Sequence, residues 1–206
     1  MAYAHSDRVD SVPSRTVPIP VKIVIAGGFG VGKTTLVGAI SEIEPLTTEA
    51  AMTNRSVGID DTSKVARKTT TTVAMDFGRI TVEQSLILYL FGTPGQDRFG
   101  FMWDDIASGA LGAVVLADTR RIEDAFPGID YFERLGMPFV VALNRFDGEQ
   151  PHALDAVREA LDVAPDVPVI ECDARAKESV KSVVLTLLDV VLQRATARAT
   201  AQPRVL

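Results

Sequence analysis

Residues 27–34 can do chemistry on phosphate. They read GGFGVGKT and fit G-x-x-x-x-G-K-[ST], with Gly27 and Gly32 at the fixed glycines and Lys33 and Thr34 closing the pattern. Glycines let backbone N–H groups converge on an anion without side-chain obstruction. A helix that follows adds free N–H groups and the positive end of its dipole. Lys33 offers a point charge to the outer phosphates, and the Thr34 hydroxyl suits a hard cation. Gly28, Phe29, Gly30, Val31, Gly32, Lys33, Thr34 and Thr35 are therefore the phosphate-binding candidates. The context agrees with the motif. A mostly apolar run, Val21 to Ala26, precedes it and a helix-like stretch from Lys33 follows.

A phosphate loop alone does not choose between ATP and GTP, or between a kinase and a switch. Four later stretches bear on that choice: Thr69 to Thr72 followed by Asp76-Phe77, GTPGQDRF at 92–99, NRFD at 144–147 and CDAR at 172–175. Their order and spacing resemble the small Ras-like GTPases over about residues 20–195. The resemblance implies an α/β P-loop NTPase G domain, with a six-stranded, mainly parallel sheet flanked by helices. It implies GTP and GDP as ligands, Mg²⁺ as cofactor, and a switch that cleaves GTP slowly.

The residue roles follow from the same resemblance. NRFD looks like the guanine-reading N-K-x-D. Asp147 would accept from guanine N1–H and the 2-amino group, which adenine does not offer there, so a wrong base would leave the acceptor unpaired. Asn144 would tie that loop to the phosphate loop, and Arg145 could lie along the nucleotide. CDAR resembles S-A-K, with Ala174 at the central alanine, whose N–H would meet the guanine oxygen. In GTPGQDRF, Gly95 would offer its N–H to the γ-phosphate and Gln96 would orient the attacking water. Thr72 matches the switch I threonine of T-x-x-x-D-F and would join Thr34 on the metal. The alternative is a threonine run that simply opens a strand, and Thr71 is one residue away.

Two departures stand out. The family's switch II aspartate, which helps hold Mg²⁺ through water, is Gly92 here, and the preceding Tyr89, Leu90 and Phe91 offer no substitute. Asp118 ends a neighbouring strand, but a capping role suits it better. Phe29 stands where Ras has a small glycine, so its ring is expected to crowd the γ-phosphate side and slow intrinsic hydrolysis. No arginine finger is identifiable; Arg67 and Arg98 are candidates without support. A second reading is a guanine-nucleotide-binding interaction module with little hydrolysis of its own, and a third is a P-loop kinase or ATPase. The aspartate-less switch, N-R-x-D and the threonine-rich switch I resemble more narrowly the MglA polarity proteins and the small G proteins of actinobacterial conservons. That implies a Roadblock-type regulator and a sensor-kinase-like membrane protein as partners.

The elements that must position these residues are legible as well. Strand-like runs lie at 20–26, 73–82, 85–91, 110–117, 138–143 and 167–172, and helix-like runs at 33–44, 122–135, 152–161 and 178–197. Strands alternating with helices predict a doubly wound sheet. Residues 45–72 read as one long irregular loop, and Phe99, Phe101, Met102 and Trp103 as either core beneath the switch or a partner surface. A polar arm over 1–19, one domain over 20–199 and a short tail over 200–206 complete the layout. A net charge of −6 gives no bulk attraction to nucleic acid or anionic lipid. The lone cysteine, Cys172, suits a reducing compartment and reads as a small core residue. No direct membrane insertion and no terminal lipid anchor are expected, so the setting is cytoplasmic, with membrane recruitment left to a partner.

Overall fold

The computed structural model describes residues 17–44, 46–52, 71–82, 85–95, 102–146 and 152–201. The strands are β1 (Ile19–Gly27), β2 (Leu46–Met52), β3 (Thr71–Val82), β4 (Leu86–Gly92), β5 (Gly112–Ala117), β6 (Phe139–Asn144) and β7 (Val169–Cys172). The helices are α1 (Lys33–Ile40), α2 (Trp103–Ala107), α3 (Phe126–Leu135), α4 (Leu154–Leu161) and α5 (Lys177–Ala201), with a 3₁₀ segment at Thr119–Ala125. One sheet runs in the order β2-β3-β4-β1-β5-β6-β7. β1 pairs parallel with both β4 and β5, and β5-β6-β7 continue parallel. β3 is antiparallel to β2 and to β4.

Alternation along the central strands explains the two layers. Ile23 and Ile25 face one core while Val24 and Ala26 face the other. Val114 and Leu116 oppose Ala113 and Val115, and Val140 and Ala142 oppose Val141 and Leu143, in the same sense. Strands buried on both faces read as unbroken apolar runs. The first core is closed by α1 and α5 through Leu36, Val37, Val180, Val183 and Leu187. The second is closed by α2, α3 and α4 through Ile106, Ile129, Phe132, Val157 and Leu161. Each such side chain contributes roughly 1.5–3 kcal/mol of burial.

The doubly wound, mainly parallel sheet is as expected, with one strand more than six. β2 lies within the stretch that reads as loop. Its sequence, LTTEAAM, has no apolar run or clean alternation to announce a strand. It pairs antiparallel with β3 from Leu46 opposite Phe77 to Met52 opposite Thr71, at the edge of the sheet. α1 is shorter than the helical pattern suggests. Ser41 turns extended (φ −63°, ψ 137°), and its hydroxyl accepts from the Ile43 and Arg79 N–H groups, which ends the helix before Glu44. Pro127 sits in the first turn of α3, where its missing N–H costs nothing.

Candidate functional site

β1 lies where the sheet reverses direction of winding, with β4 on one side and β5 on the other. Crevices beyond the carboxyl ends of strands at such a point are where open α/β sheets hold ligands. The glycine loop occupies that place. Gly32 has φ +107°, a left-handed conformation open to glycine, and α1 starts directly after it without a side-chain cap. The first-turn N–H groups of α1 therefore have no intrahelical partner and face the loop's anion cradle.

Lys33 is buried and bridges the loop. Its ammonium donates to the carbonyls of Gly27 (2.8 Å) and Gly28 (2.7 Å). Gly95 closes over it: a Cβ there would come within 2.6 Å of Lys33 Nζ and 3.0 Å of the Gly28 carbonyl. Only glycine permits this contact between the loop after β4 and the phosphate loop. Burial pushes the Lys33 pKa from 10.5 down to about 8, against the opposing pull of Asp76 and Asp124.

Asp76 entered the sequence reading only as the D of T-x-x-x-D-F, with no role at the site. Phe77 pairs with Phe91 across β3 and β4, so Asp76 stands beside Gly92. A Cβ on Gly92 would lie 3.0 Å from the Asp76 Cβ and 3.1 Å from its Oδ2. The space that an aspartate at 92 would take is filled by an aspartate from the neighbouring strand. Asp76 is 7% exposed, and its Oδ2 accepts the Thr34 hydroxyl at 2.7 Å. Next to Gly92, the Thr93 hydroxyl is buried with no partner among the described residues. A carboxylate and hydroxyls are hard-oxygen donors of the kind Mg²⁺ takes, usually with substrate phosphates completing the shell. Among the described residues no cluster of three His, Cys, Asp or Glu side chains could hold a metal alone.

Asn144, at the end of β6, joins three loops. It is 7% exposed; its Nδ2 donates to the Val31 carbonyl at 2.8 Å, and its Oδ1 accepts from the Ala174 N–H at 3.0 Å. The Ala174 N–H is thus committed to Asn144, because a buried amide oxygen needs a donor. Arg145 pairs with Glu171 at 2.8 Å on the half-exposed rim, a contact worth at most about 1 kcal/mol and easily exchanged. Asp173 and Arg175, the departures from S-A-K, form an ion pair with each other at 2.9 Å. Burial raises the Cys172 thiol to about 11, which suits a core residue rather than a nucleophile. Asp118 caps the 3₁₀ segment through the Arg120 N–H. Gln96 and Asp147 lie outside the described residues, as do Phe99, Phe101, Arg67 and Arg98; of Thr72 only its pairing with Ala51 is described.

The profile of a family described as conserved hypothetical ATP binding protein matches residues 25–194. The chain belongs to this family. Its match begins inside β1, two residues before the glycine loop, and ends in α5, so it spans every residue of the site described above. An uncharacterised protein of Methanocaldococcus jannaschii is 33% identical over 132 residues, covering 62% of this chain and 71% of that one. Two solved structures share the fold. The cytosolic domain of the T. maritima FeoB iron transporter in its apo form aligns with TM-score 0.59 and 15% identity over 84% of this chain. That alignment spans 64% of the FeoB domain, so the chain covers less than two thirds of its length. The FeoB G-domain from Methanococcus jannaschii aligns with TM-score 0.54 and 16% identity, over 84% of this chain and 97% of that one. The chain is a P-loop NTPase with the G-domain fold. Among the described residues no helix is long and apolar enough to cross a membrane.

In this family member the lowered Lys33 pKa has a measurable consequence. The free protein holds Lys33 half charged near pH 8. Bound phosphate favours the ammonium, so binding takes up a proton above that pH. Triphosphate affinity is therefore full below about pH 8 and falls as pH rises through it, by about tenfold between pH 7 and pH 9. Calorimetric titrations at the two values check this; equal affinities would show that the charge on Lys33 is not drawn on. The folded chain likewise carries the cost of charging Lys33 below pH 8 and sheds it as pH rises toward 10.5.

Proposed function

We propose that the chain is a guanine-nucleotide switch that cleaves GTP slowly to GDP and phosphate. The observation that carries this reading is Asn144. One buried amide ties the phosphate loop at Val31 to the loop after β7 at Ala174, and it does so from the NRFD stretch, whose Asp147 is the proposed guanine reader. Lys33 and the α1 N-terminus hold the outer phosphates, and Gly95 lies close enough to Lys33 to sense the γ-phosphate. Thr34 and Asp76, with Thr72, would hold Mg²⁺. When bound, that ion supplies charge neutralisation to the β- and γ-phosphates. Gln96 is the proposed water-orienting residue. Switch I and switch II would order around the triphosphate and relax after cleavage. A setting like that of the MglA and conservon proteins, with a Roadblock-type regulator and a sensor-kinase-like partner, belongs to the same proposal and rests on motif resemblance.

Two other readings have support. The exposed Phe29 and the absent switch II aspartate favour a guanine-nucleotide binder with little hydrolysis. The family's own description favours ATP. Direct competition between GTP and ATP for the purified protein, followed by single-turnover cleavage with Mg²⁺ and with EDTA, separates all three. GTP preference with slow, Mg²⁺-dependent cleavage that collapses in Gln96→Leu is the expected result. GTP binding without cleavage selects the binding module, and ATP preference overturns the guanine assignment.

A further inference from the structure

The two arginines that follow Asp118 go to different places. Arg120 doubles back on the Asp118 carboxylate, bonding it at 2.8–3.2 Å, and lies over the Phe146 ring. Arg121 goes to the phosphate loop. Its Nη2 donates to the Phe29 carbonyl at 2.7 Å, across 92 positions of sequence. The divergence is made by the backbone. Inside the 3₁₀ segment, Arg121 alone leaves helical geometry, at φ −149° and ψ 60°, and the kink turns its side chain out of the run.

The guanidinium lies at the rim of the phosphate loop. A Cβ on Gly30 would lie 3.8 Å from the Arg121 Nη2. Its Nη1 lies 3.5 Å from the half-exposed carboxylate of Asp124, and its charge also reaches the Asp118 carboxylate. Asp124 in turn packs over Gly28, where a Cβ would come within 2.5 Å of its own. The cation is thus braced from behind by Asp124 and tied in front to a neutral carbonyl. With 47% of its side chain exposed, most of its five donors remain available to a ligand. A guanidinium is always charged and suits phosphate in a fork geometry.

We propose that Arg121 is a phosphate-binding catalytic arginine supplied by the chain itself, placed to meet the γ-phosphate and the β,γ-bridging oxygen of a bound triphosphate. This rests on the triphosphate-cleaving reading above. In cleavage the water oxygen bonds to the γ-phosphorus, and the bond from that phosphorus to the β,γ-bridging oxygen breaks. The electron pair stays on the diphosphate, and the water's proton leaves with the released phosphate. Charge builds at the bridge, and Arg121 offsets it there. An arginine supplied in cis in this way removes the need for one from a partner.

The test uses the full chain with Arg121→Ala and Arg121→Lys. It measures single-turnover cleavage of GTP and the affinities for GDP and a non-hydrolysable GTP analogue. Melting of the nucleotide-free protein serves as the folding control. Arg121→Ala is expected to slow cleavage on the order of 10²-fold. It should weaken the triphosphate analogue about tenfold while leaving GDP binding within about twofold. Arg121→Lys should recover part of both. Equal losses for the two nucleotides, or cleavage at the parent's rate, would reduce Arg121 to a brace for the loop and overturn the proposal. If the parent binds triphosphate without cleaving it, the ratio of affinities decides alone. A parent that binds neither nucleotide overturns the proposed function, and the role of Arg121 falls with it.

Discussion

Asp76→Ala is expected to cut Mg²⁺-dependent triphosphate cleavage about 10- to 100-fold, the usual cost of removing a group that orients a metal ligand. Thr34 would lose the carboxylate that its hydroxyl bonds at 2.7 Å. The hole left behind faces Gly92, so the charge can be put back from the other strand. Asp76→Ala combined with Gly92→Asp should recover most of the lost rate, because cross-strand neighbours reach the same space. Gly92→Asp alone should be worse than the parent. Its Cβ would come within 3.1 Å of Asp76 Oδ2, crowding two carboxylates into a site built for one. Single-turnover rates across a Mg²⁺ titration read all three variants. An unchanged Mg²⁺ midpoint in Asp76→Ala would sink the assignment.

Asn144→Ala is expected to lower the melting temperature by about 5–15 °C and to weaken nucleotide binding with it. The substitution strips partners from two backbone groups in a buried place, the Val31 carbonyl and the Ala174 N–H. Each such loss costs about 1–3 kcal/mol, and a chain of this size shifts by about 2–4 °C per kcal/mol. Nucleotide binding suffers because the loop at Val31 is no longer held to the loop at Ala174. Gly32 shares this geometry: a Cβ there would lie 2.7 Å from Asn144 Nδ2. Thermal unfolding with and without nucleotide checks the prediction; an unchanged midpoint would mean that water replaces both bonds.

Trp103 shows a choice that the sequence left open. Core and partner surface were equally consistent with its position, and its ring stands edge-on to Tyr131 at 5.1 Å and stacks on Phe132 at 6.2 Å. Met102 packs against the same core. Strand and helix order was readable because central strands buried on both faces must be apolar throughout. β2 was not readable, because an edge strand needs no such pattern.

The sequence by itself determined the phosphate loop, since eight contiguous residues carry the glycines, the lysine and the hydroxyl that the chemistry needs. It determined the alternation of strands and helices, and with it the place of that loop at the end of β1. Only the tertiary structure decided which carboxylate stands beside Thr34 and which arginine reaches the loop. Asp76 fills the space at Gly92 through the register of an antiparallel pair. Arg121 reaches Phe29 through one kinked residue in a 3₁₀ segment. Each contact joins residues well apart in the sequence, Asp76 with Gly92 and Arg121 with Phe29, so the motif residues alone do not announce it.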